Sequence, residues 1–501
     1  MVKGFPQMNL SDERLKQLDD PSLGAGERVL VRCRVAADLT LTGRYESARD
    51  TLGEFWRGIG ERPNVEGLDE RAAAEVLLQA GALSGWLGAS AQVAGAQEKA
   101  KDLISESARR FERSGEKDRA AIARSDLALC YWREGAYDDA RALLTNTFER
   151  LTEAEDRAKV LLRLTTVEFS AGRYNDALTL LKENAHAFDE RMSHALRGSF
   201  HNHLALVLKQ LGTVEGRPDY LDRAIIEFTA AVHHHEQAGH ERYRATNENN
   251  LANLLRKTGH YEQAHRHLDR ALKTLLRLND TGLLAQVDET RARLFVAEQR
   301  YHEANHVIAG AIRTLEEGGE SALLADALTV QGVVWARLGA HESSVDILRR
   351  AAEVAEESGA LRNAARAGMT LIEEHGATRL PQAEAYKVYR RADELLRGTQ
   401  DAEDIARLRS CAGVVLRRLS GARLHDEGFT LHGALYESEA MYIEQALEEA
   451  GGSVTHAARL LDIPYQSLTN MLKTRHRLLL KKRTPAKRRR RSIFKTGRAA
   501  K

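Results

Sequence analysis

Three cysteines in 501 residues exclude a disulfide framework. Cys33, Cys130 and Cys411 lie far apart, with no CxxC pair and no metal-ligand spacing, so they read as small core residues in a reducing compartment. Prolines number only 7 and aromatics 6 %, whereas hydrophobic residues reach 43 %. Few helix breakers and an Ala/Leu-rich apolar fraction describe a nearly all-helical protein. No apolar run approaches the ~18 residues that span a bilayer. The first residues lack the basic-then-apolar order of a secretory leader. The expectation is a soluble, cytoplasmic chain without a membrane association.

Catalytic signatures are missing too. There is no GxxxxGKS/T phosphate loop, no GxSxG and no HExxH, so no enzyme is expected, and no cofactor. His233, His234 and His235 with His240 form the densest histidine group. Consecutive helical residues point about 100° apart, so those three rings do not converge on one ion. The expectation there is a polar surface and no metal. His201, Asn202 and His203 spell HNH, but they sit inside a helical repeat and not in a nuclease hairpin.

Acidic residues run out at Asp462. From Lys473 to Lys501 there are fourteen Lys/Arg and no Asp or Glu, against 74 Lys+Arg and 72 Asp+Glu in the whole chain. Without that tail the balance is 60 against 72, a formal −12 facing +14. A polyanion would be held by the tail and repelled by the body.

The body repeats a short phrase: small or Gly, any residue, aromatic, two polar, small. GRYESA (Gly43 to Ala48), GAYDDA (Gly135 to Ala140), GRYNDA (Gly172 to Ala177) and GHYEQA (Gly259 to Ala264) are the clear copies. QRYHEA (Gln299 to Ala304) and GAHESS (Gly339 to Ser344) are degraded ones, and PDYLDRA ends a variant at Ala224. The anchors Tyr220, Tyr261, Tyr301 and His341 recur at close to forty residues. In each copy the Gly ends one helix in a left-handed turn, the aromatic wedges between paired helices, and the small residue lets them approach. Amphipathic stretches flank each phrase, such as Asn249 to Lys257 and Gln263 to Arg277. Neither stretch buries its stripe alone, so successive pairs must stack.

This pattern resembles the tetratricopeptide repeat in its longer-period form, over roughly residues 28–397. The blocks near 81–108 and 371–396 fit it poorly. The resemblance implies a superhelix whose inner face is lined by the first helix of each pair. Its groove positions here are Asn249, Asn250, Asn253, Arg256 and Lys257, with Asn202 and His203 one repeat before and Arg293 one after. Arg163 and Lys159 add positive charge nearer the N-terminus. Asn amides at such places resemble those with which kinesin-light-chain-like repeats hold a peptide backbone, since an amide both donates and accepts. A protein or peptide ligand is therefore expected there.

Near the end lies LYESEAMYIEQALEEAGGSVTHAARLLDIPYQSLTNMLK. Leu435, Tyr442, Ile443, Ala446, Leu447 and Ala450 give the apolar spacing of a first helix. Gly451 and Gly452 stop it, Thr455 opens or caps a second, and Pro464 starts a third held by Leu468 and Leu472. These residues resemble the Fis-type helix-turn-helix found at the end of NtrC-like bacterial activators. Asp462 stands where that family has its turn Gly, and Tyr465 stands where it has an Arg, which removes a bidentate guanine contact. The resemblance implies a DNA-facing set of Thr455, Tyr465, Gln466, Ser467, Thr469, Asn470, Lys473 and Arg475, joined by the tail residues Arg488, Arg489, Arg490 and Arg491. Gln466 and Asn470 would read adenine; Ser467, Thr469 and Lys473 would hold phosphates.

The expected architecture is all-α. An N-terminal segment (1–27) precedes a tetratricopeptide-like solenoid superhelix (28–397). A connector with Gly421, Gly428 and Gly433 (398–434), a Fis-type helix-turn-helix domain (435–480) and a basic disordered tail (481–501) follow. The expected function is a bacterial transcription regulator, homodimeric on duplex DNA and nucleoid-associated when bound. The alternative is a repeat scaffold tethered non-specifically to nucleic acid.

Overall fold

The computed structural model describes residues 24–419, apart from 42–43, 91–92, 94, 319–320, 398 and 400, and residues 430–482. Gly43, Gly421, Gly428, most of the N-terminal segment and tail residues 483–501, Arg488 to Arg491 among them, lie outside the described residues. The described residues hold helices and turns and no strand, an all-α fold.

The chain divides into two compact units: residues 1–371 with 392–408, and residues 372–391 with 409–501. The first unit opens with α1 (Ala25–Leu41), α2 (Tyr45–Leu52), α3 (Glu70–Ser90), α4 (Ala96–Arg113), α5 (Lys117–Arg133) and α6 (Tyr137–Arg150). It continues with α7 (Ala154–Ser170), α8 (Tyr174–Glu183), α9 (His194–Glu215), α10 (Pro218–Gln237), α11 (Glu241–Lys257) and α12 (Tyr261–Leu278). Then come α13 (Thr281–Ala297), α14 (Tyr301–Gly318), α15 (Ser321–Arg337) and α16 (His341–Glu357). The division between units passes through α17 (Leu361–His375), α18 (Gln382–Leu395) and α19 (Ala402–Leu419).

Each part of the repeated phrase does its local job. At GHYEQA, Gly259 has φ 82°. The His260 N–H reaches the Leu255 carbonyl at 2.8 Å and the Gly259 N–H that of Arg256 at 3.2 Å. That double closure satisfies carbonyls the helix end leaves open. The phrase's aromatic is the first residue of α2, α6, α8, α12 and α14, and His341 takes that place in α16. Ala48, Ala140, Ala177, Ala264, Ala304 and Ser344 are all 0 % exposed, which is what close helix approach demands. Both helices of that repeat start earlier than their amphipathic stretches, at Glu241 and Tyr261, because polar residues in a first turn still propagate a helix.

The pair α3–α4 lacks the phrase and uses glycines instead. A Cβ on Gly81 would meet Ile104 at 2.7 Å, and one on Gly88 would meet Ala96 at 2.2 Å. Successive pairs then stack: Ala245, Leu251, Leu255, Leu268 and Leu275 share one core with Phe200, Leu204 and Phe228. Each buried Leu or Phe there contributes about 1.5–3 kcal/mol over its exposed state. First helices also touch one another, α5 with α7, α7 with α9, α11 with α13 and α13 with α15. They line one wall of the array.

The histidine expectation needs correction. His234 and His235 are buried, at 7 % and 1 % exposure, and do not form a polar surface. His234 Nδ1 lies 2.9 Å from His194 Nδ1 of α9, and its ring stacks on His201. His235 fills the space that Gly198 leaves, where a Cβ would stand 2.9 Å from its ring. Among the described residues no cluster of three or more His, Cys, Asp or Glu is placed to hold a metal ion. All three cysteines are buried and in no disulfide, and burial pushes the Cys130 thiol up to about 11. No helix among the described residues is long and apolar enough to cross a membrane.

Candidate functional site

In the second unit, α20 (Leu431–Glu449), α21 (Val454–Leu460) and α22 (Tyr465–Thr474) fold around Ile443, Ala446, Leu447, Ala450, Ala457, Ala458, Leu468 and Leu472. Leu435 and Tyr442 are 60 % and 57 % exposed, so only part of the apolar spacing expected of α20 faces that core. The helix starts at Leu431 behind the cap Thr430, and Gly433 lies inside it.

The turn between α21 and α22 is made by Asp462 at φ 50°. The Ile463 N–H reaches the Ala458 carbonyl at 3.0 Å and the Asp462 N–H that of Arg459 at 3.2 Å. This is the closure seen at Gly259, carried by a residue with a Cβ. Ala457 and Ala458, 0 % and 2 % exposed, let α22 cross close to α21. The cap of α21 is Ser453, whose hydroxyl accepts from the His456 N–H at 3.4 Å. Thr455 is the second residue of that helix and is exposed. Pro464 stands at the cap of α22, one position before the expected start.

Burying Leu468 and Leu472, at 0 % and 1 %, turns the other side of α22 outward. Tyr465 is 49 % exposed, and Gln466, Ser467, Asn470 and Lys473 are exposed with it. These five form one open polar face carrying donors, acceptors and a cation. Two expected members depart from it. Thr469 is half-buried and its hydroxyl is buried with no hydrogen-bond partner, because it lies next to Leu468 on the turn toward the core. Arg475 pairs with Glu439 at 3.2 Å, so its charge is engaged by α20.

The sequence reading missed what Glu439 does. It also takes His476 Nε2 at 2.8 Å; that ring is buried and packs on Tyr436, centroids 4.6 Å apart. The Tyr436 hydroxyl donates to the Arg475 carbonyl at 2.5 Å. Beyond it, a short 3-10 segment, Arg477–Lys482, packs against α20. Lys482 meets Glu444 at 2.5 Å and Glu448 at 2.6 Å. Burial works against its charge, but the two carboxylates hold its pKa above the ordinary lysine range. Two of the tail's cations, Arg475 and Lys482, are therefore paired with acids of α20. The spacing Glu444, Glu448 on one face of α20 was the available signal.

In the first unit the expected groove residues share the wall made by first helices. Asn202 on α9 and Asn249 on α11 are half-buried, and the side-chain oxygen of each is buried with no hydrogen-bond partner. Asn250 is half-buried beside them. Asn253 accepts from Arg256 Nη2 at 3.0 Å. Burial, and then the nearby Arg293, push the Arg256 pKa below the usual guanidinium range. Arg293 is paired with Glu289 of its own helix. His203 contacts Thr166 Oγ1 at 2.9 Å and the Ser199 carbonyl at 2.7 Å. Arg163 pairs with Asp126 at 2.6 Å and Lys159 with Asp156 at 2.9 Å. Lys257 reaches Glu403 at 3.1 Å, a partner from the start of α19 that local spacing could not reveal. Unpartnered buried amide oxygens are uncommon in a settled fold; Asn202 and Asn249 carry two of them on first helices, and Asn247 of α11 and Gln97 of α4 carry two more.

Comparison with known proteins gives two family matches. Residues 434–473 match the Fis family of bacterial regulatory proteins, and residues 249–280 match the tetratricopeptide repeat. The chain thus carries a Fis-type helix-turn-helix and a tetratricopeptide-like array. The first suggests DNA binding and the second protein interaction. No curated protein matches the chain. Among solved structures, the apo quorum sensor NprR of B. thuringiensis aligns at 13 % identity over 68 % of this chain and 91 % of its own, TM-score 0.47. A Rap protein complexed with competence and sporulation factor aligns at 15 % over 68 % and 96 %, TM-score 0.45. Aspartyl phosphate phosphatase F of Bacillus subtilis aligns at 12 % over 69 % and 87 %, TM-score 0.45. At these identities nothing of what those proteins bind carries over.

Proposed function

We propose that this chain is a DNA-binding transcription regulator. Its repeat array captures a protein or peptide partner, and its helix-turn-helix lays α22 in the major groove. The observation that supports it most is the open face of Tyr465, Gln466, Ser467, Asn470 and Lys473, held outward by Leu468 and Leu472 in the core. Amide side chains on such a face pair with adenine edges, and Lys473 with the hydroxyl of Ser467 reaches phosphate. The basic residues after Lys482 add salt-sensitive affinity without sequence preference. A homodimer would place two such faces on an inverted repeat.

The test is selection of duplexes from a random library by the full-length chain, followed by footprinting. Enrichment of an inverted repeat with protected bases supports the regulator. Uniform protection of any duplex favours the tethered scaffold and overturns sequence reading by α22.

A further inference from the structure

The start of α19 carries three acids, and all three meet polar or basic side chains of other helices in the first unit. Asp401 accepts from Gln210 Nε2 of α9 at 3.1 Å and pairs with Arg362 of α17. Glu403 takes the Lys257 ammonium of α11 at 3.1 Å. Asp404, 0 % exposed, sits between Arg362 Nε at 2.5 Å and Arg366 Nε at 2.7 Å. Asp401 also caps the helix, its Oδ1 accepting the Asp404 N–H at 3.1 Å. One short segment therefore bridges first helices that are far apart in sequence.

These contacts differ from those between repeats. Neighbouring pairs meet through Ala and Leu and through ion pairs such as Arg163–Asp126 and Arg242–Asp280, whereas Asp401 and Glu403 reach helices 191 and 146 residues away. Two of the carboxylates, those of Glu403 and Asp401, are held ionised. For Glu403, burial works against the charge, but the Lys257 ammonium outweighs it and leaves the pKa below the usual carboxylate range. For Asp401, burial again opposes, and the Asp404 N–H and the Arg362 guanidinium win. Lys257 is also the groove cation one turn past Asn253, on the helix whose Asn249 oxygen has no partner. The segment thus engages a charged end of the wall and leaves Asn249 and Asn202 unanswered.

We propose that the groove binds an acidic peptide whose carboxylates lie at the first turn of a helix, spaced i, i+2 and i+3, and that residues 401–404 are its internal occupant. A partner binds by displacing them. This rests on the reading of the array as a partner-binding surface, but its test involves no DNA. A partner of this kind adds what the internal segment does not supply, namely backbone donors for the Asn202 and Asn249 oxygens.

The probe is a labelled synthetic peptide with the sequence of residues 396–410, titrated by anisotropy against the full-length chain and its D401N/E403Q/D404N variant. The peptide should bind the variant at least about tenfold tighter than the wild type, since the competent state no longer competes with an internal ligand. Equal affinity for both, or no binding to a variant with wild-type circular dichroism, overturns the proposal. If that variant misfolds, the full-length Lys257→Glu variant decides, because Lys257 is exposed. Its backbone amides at 402–408 should exchange hydrogen faster than in the wild type, and unchanged exchange overturns the proposal. Peptide capture with a featureless DNA footprint would sink the regulator and keep this site; the reverse result would do the opposite.

Discussion

The proposed groove wall and the outward face of α22 are both rows of polar side chains on helices with a buried apolar side, yet they are satisfied differently. On the wall, Lys257 has Glu403, Arg256 has Asn253 and Arg293 has Glu289. On α22, Gln466, Ser467, Asn470 and Lys473 stand open to solvent. A face with internal partners must exchange them before it binds, so its affinity is the difference between two sets of contacts. An open face exchanges only water. On the proposed function, the array would make a conditional interaction and α22 an unconditional one.

The largest effect expected from breaking this contrast comes from the tail. Deleting residues 483–501 removes nine Lys/Arg that no acid follows in sequence. Affinity for every duplex should fall by at least about a hundredfold at low salt, with a flatter dependence on salt. Gel-shift titrations at two ionic strengths check it. Smaller and different in kind is the loss at Gln466 and Asn470. Replacing both by Ala should leave non-specific affinity in place and erode preference among sequences by about 1–3 kcal/mol per lost base contact. Competition between selected and random duplexes measures this; an intact preference would mean that α22 does not read bases.

Acid should separate the two regions next. Burial first, then the neighbouring Arg197, hold the His234 pKa down to about 4; burial and then His240 hold that of His235 down to about 3. An unfolded imidazole titrates near ~6.5. Between that pH and about 4 the unfolded chain takes up protons that these two rings refuse, which lowers stability as pH falls. Glu248 on α11, its carboxyl pushed up by burial to about 7, takes up a proton in the folded chain and opposes the loss. In a Glu248→Gln background, which removes that opposing group, thermal melts at pH 5 should lie several degrees below those at pH 7, with hydrogen exchange rising first in α9–α11. A melt indifferent to pH would mean that these rings reach solvent.

The smallest effect compares one turn from each region. Gln299 and Asp462 have φ 62° and 50° in the same double closure that Gly259 makes. A side chain in that conformation costs roughly 1 kcal/mol, offset in part by the greater freedom of an unfolded Gly. Gln299→Gly and Asp462→Gly should each raise stability by about 0.5–1 kcal/mol in urea unfolding. A loss on substitution would show that the side chain makes a compensating contact.

Sequence spacing reveals the elements whose causes are local. The turn Gly, the aromatic and the small residue of GHYEQA act within one turn of each other, so the helix pair is readable. Leu468 and Leu472 likewise reveal which side of α22 is buried. Partners that arrive from far along the chain are not readable. Glu403 lies 146 residues from Lys257 and Asp401 lies 191 from Gln210. The histidines mislead for a related reason. A run of polar rings suggests a solvated surface, and only the space left by Gly198 on another helix allows His235 to be buried.

The most direct measurement is an anisotropy titration of one labelled duplex against three proteins: the full chain, residues 24–419 and residues 430–501. Residues 430–501 should bind, at an affinity that drops steeply with added salt, while residues 24–419 leave the duplex free. Equal binding by residues 24–419 would contradict the assignment of DNA to α22 and the basic end.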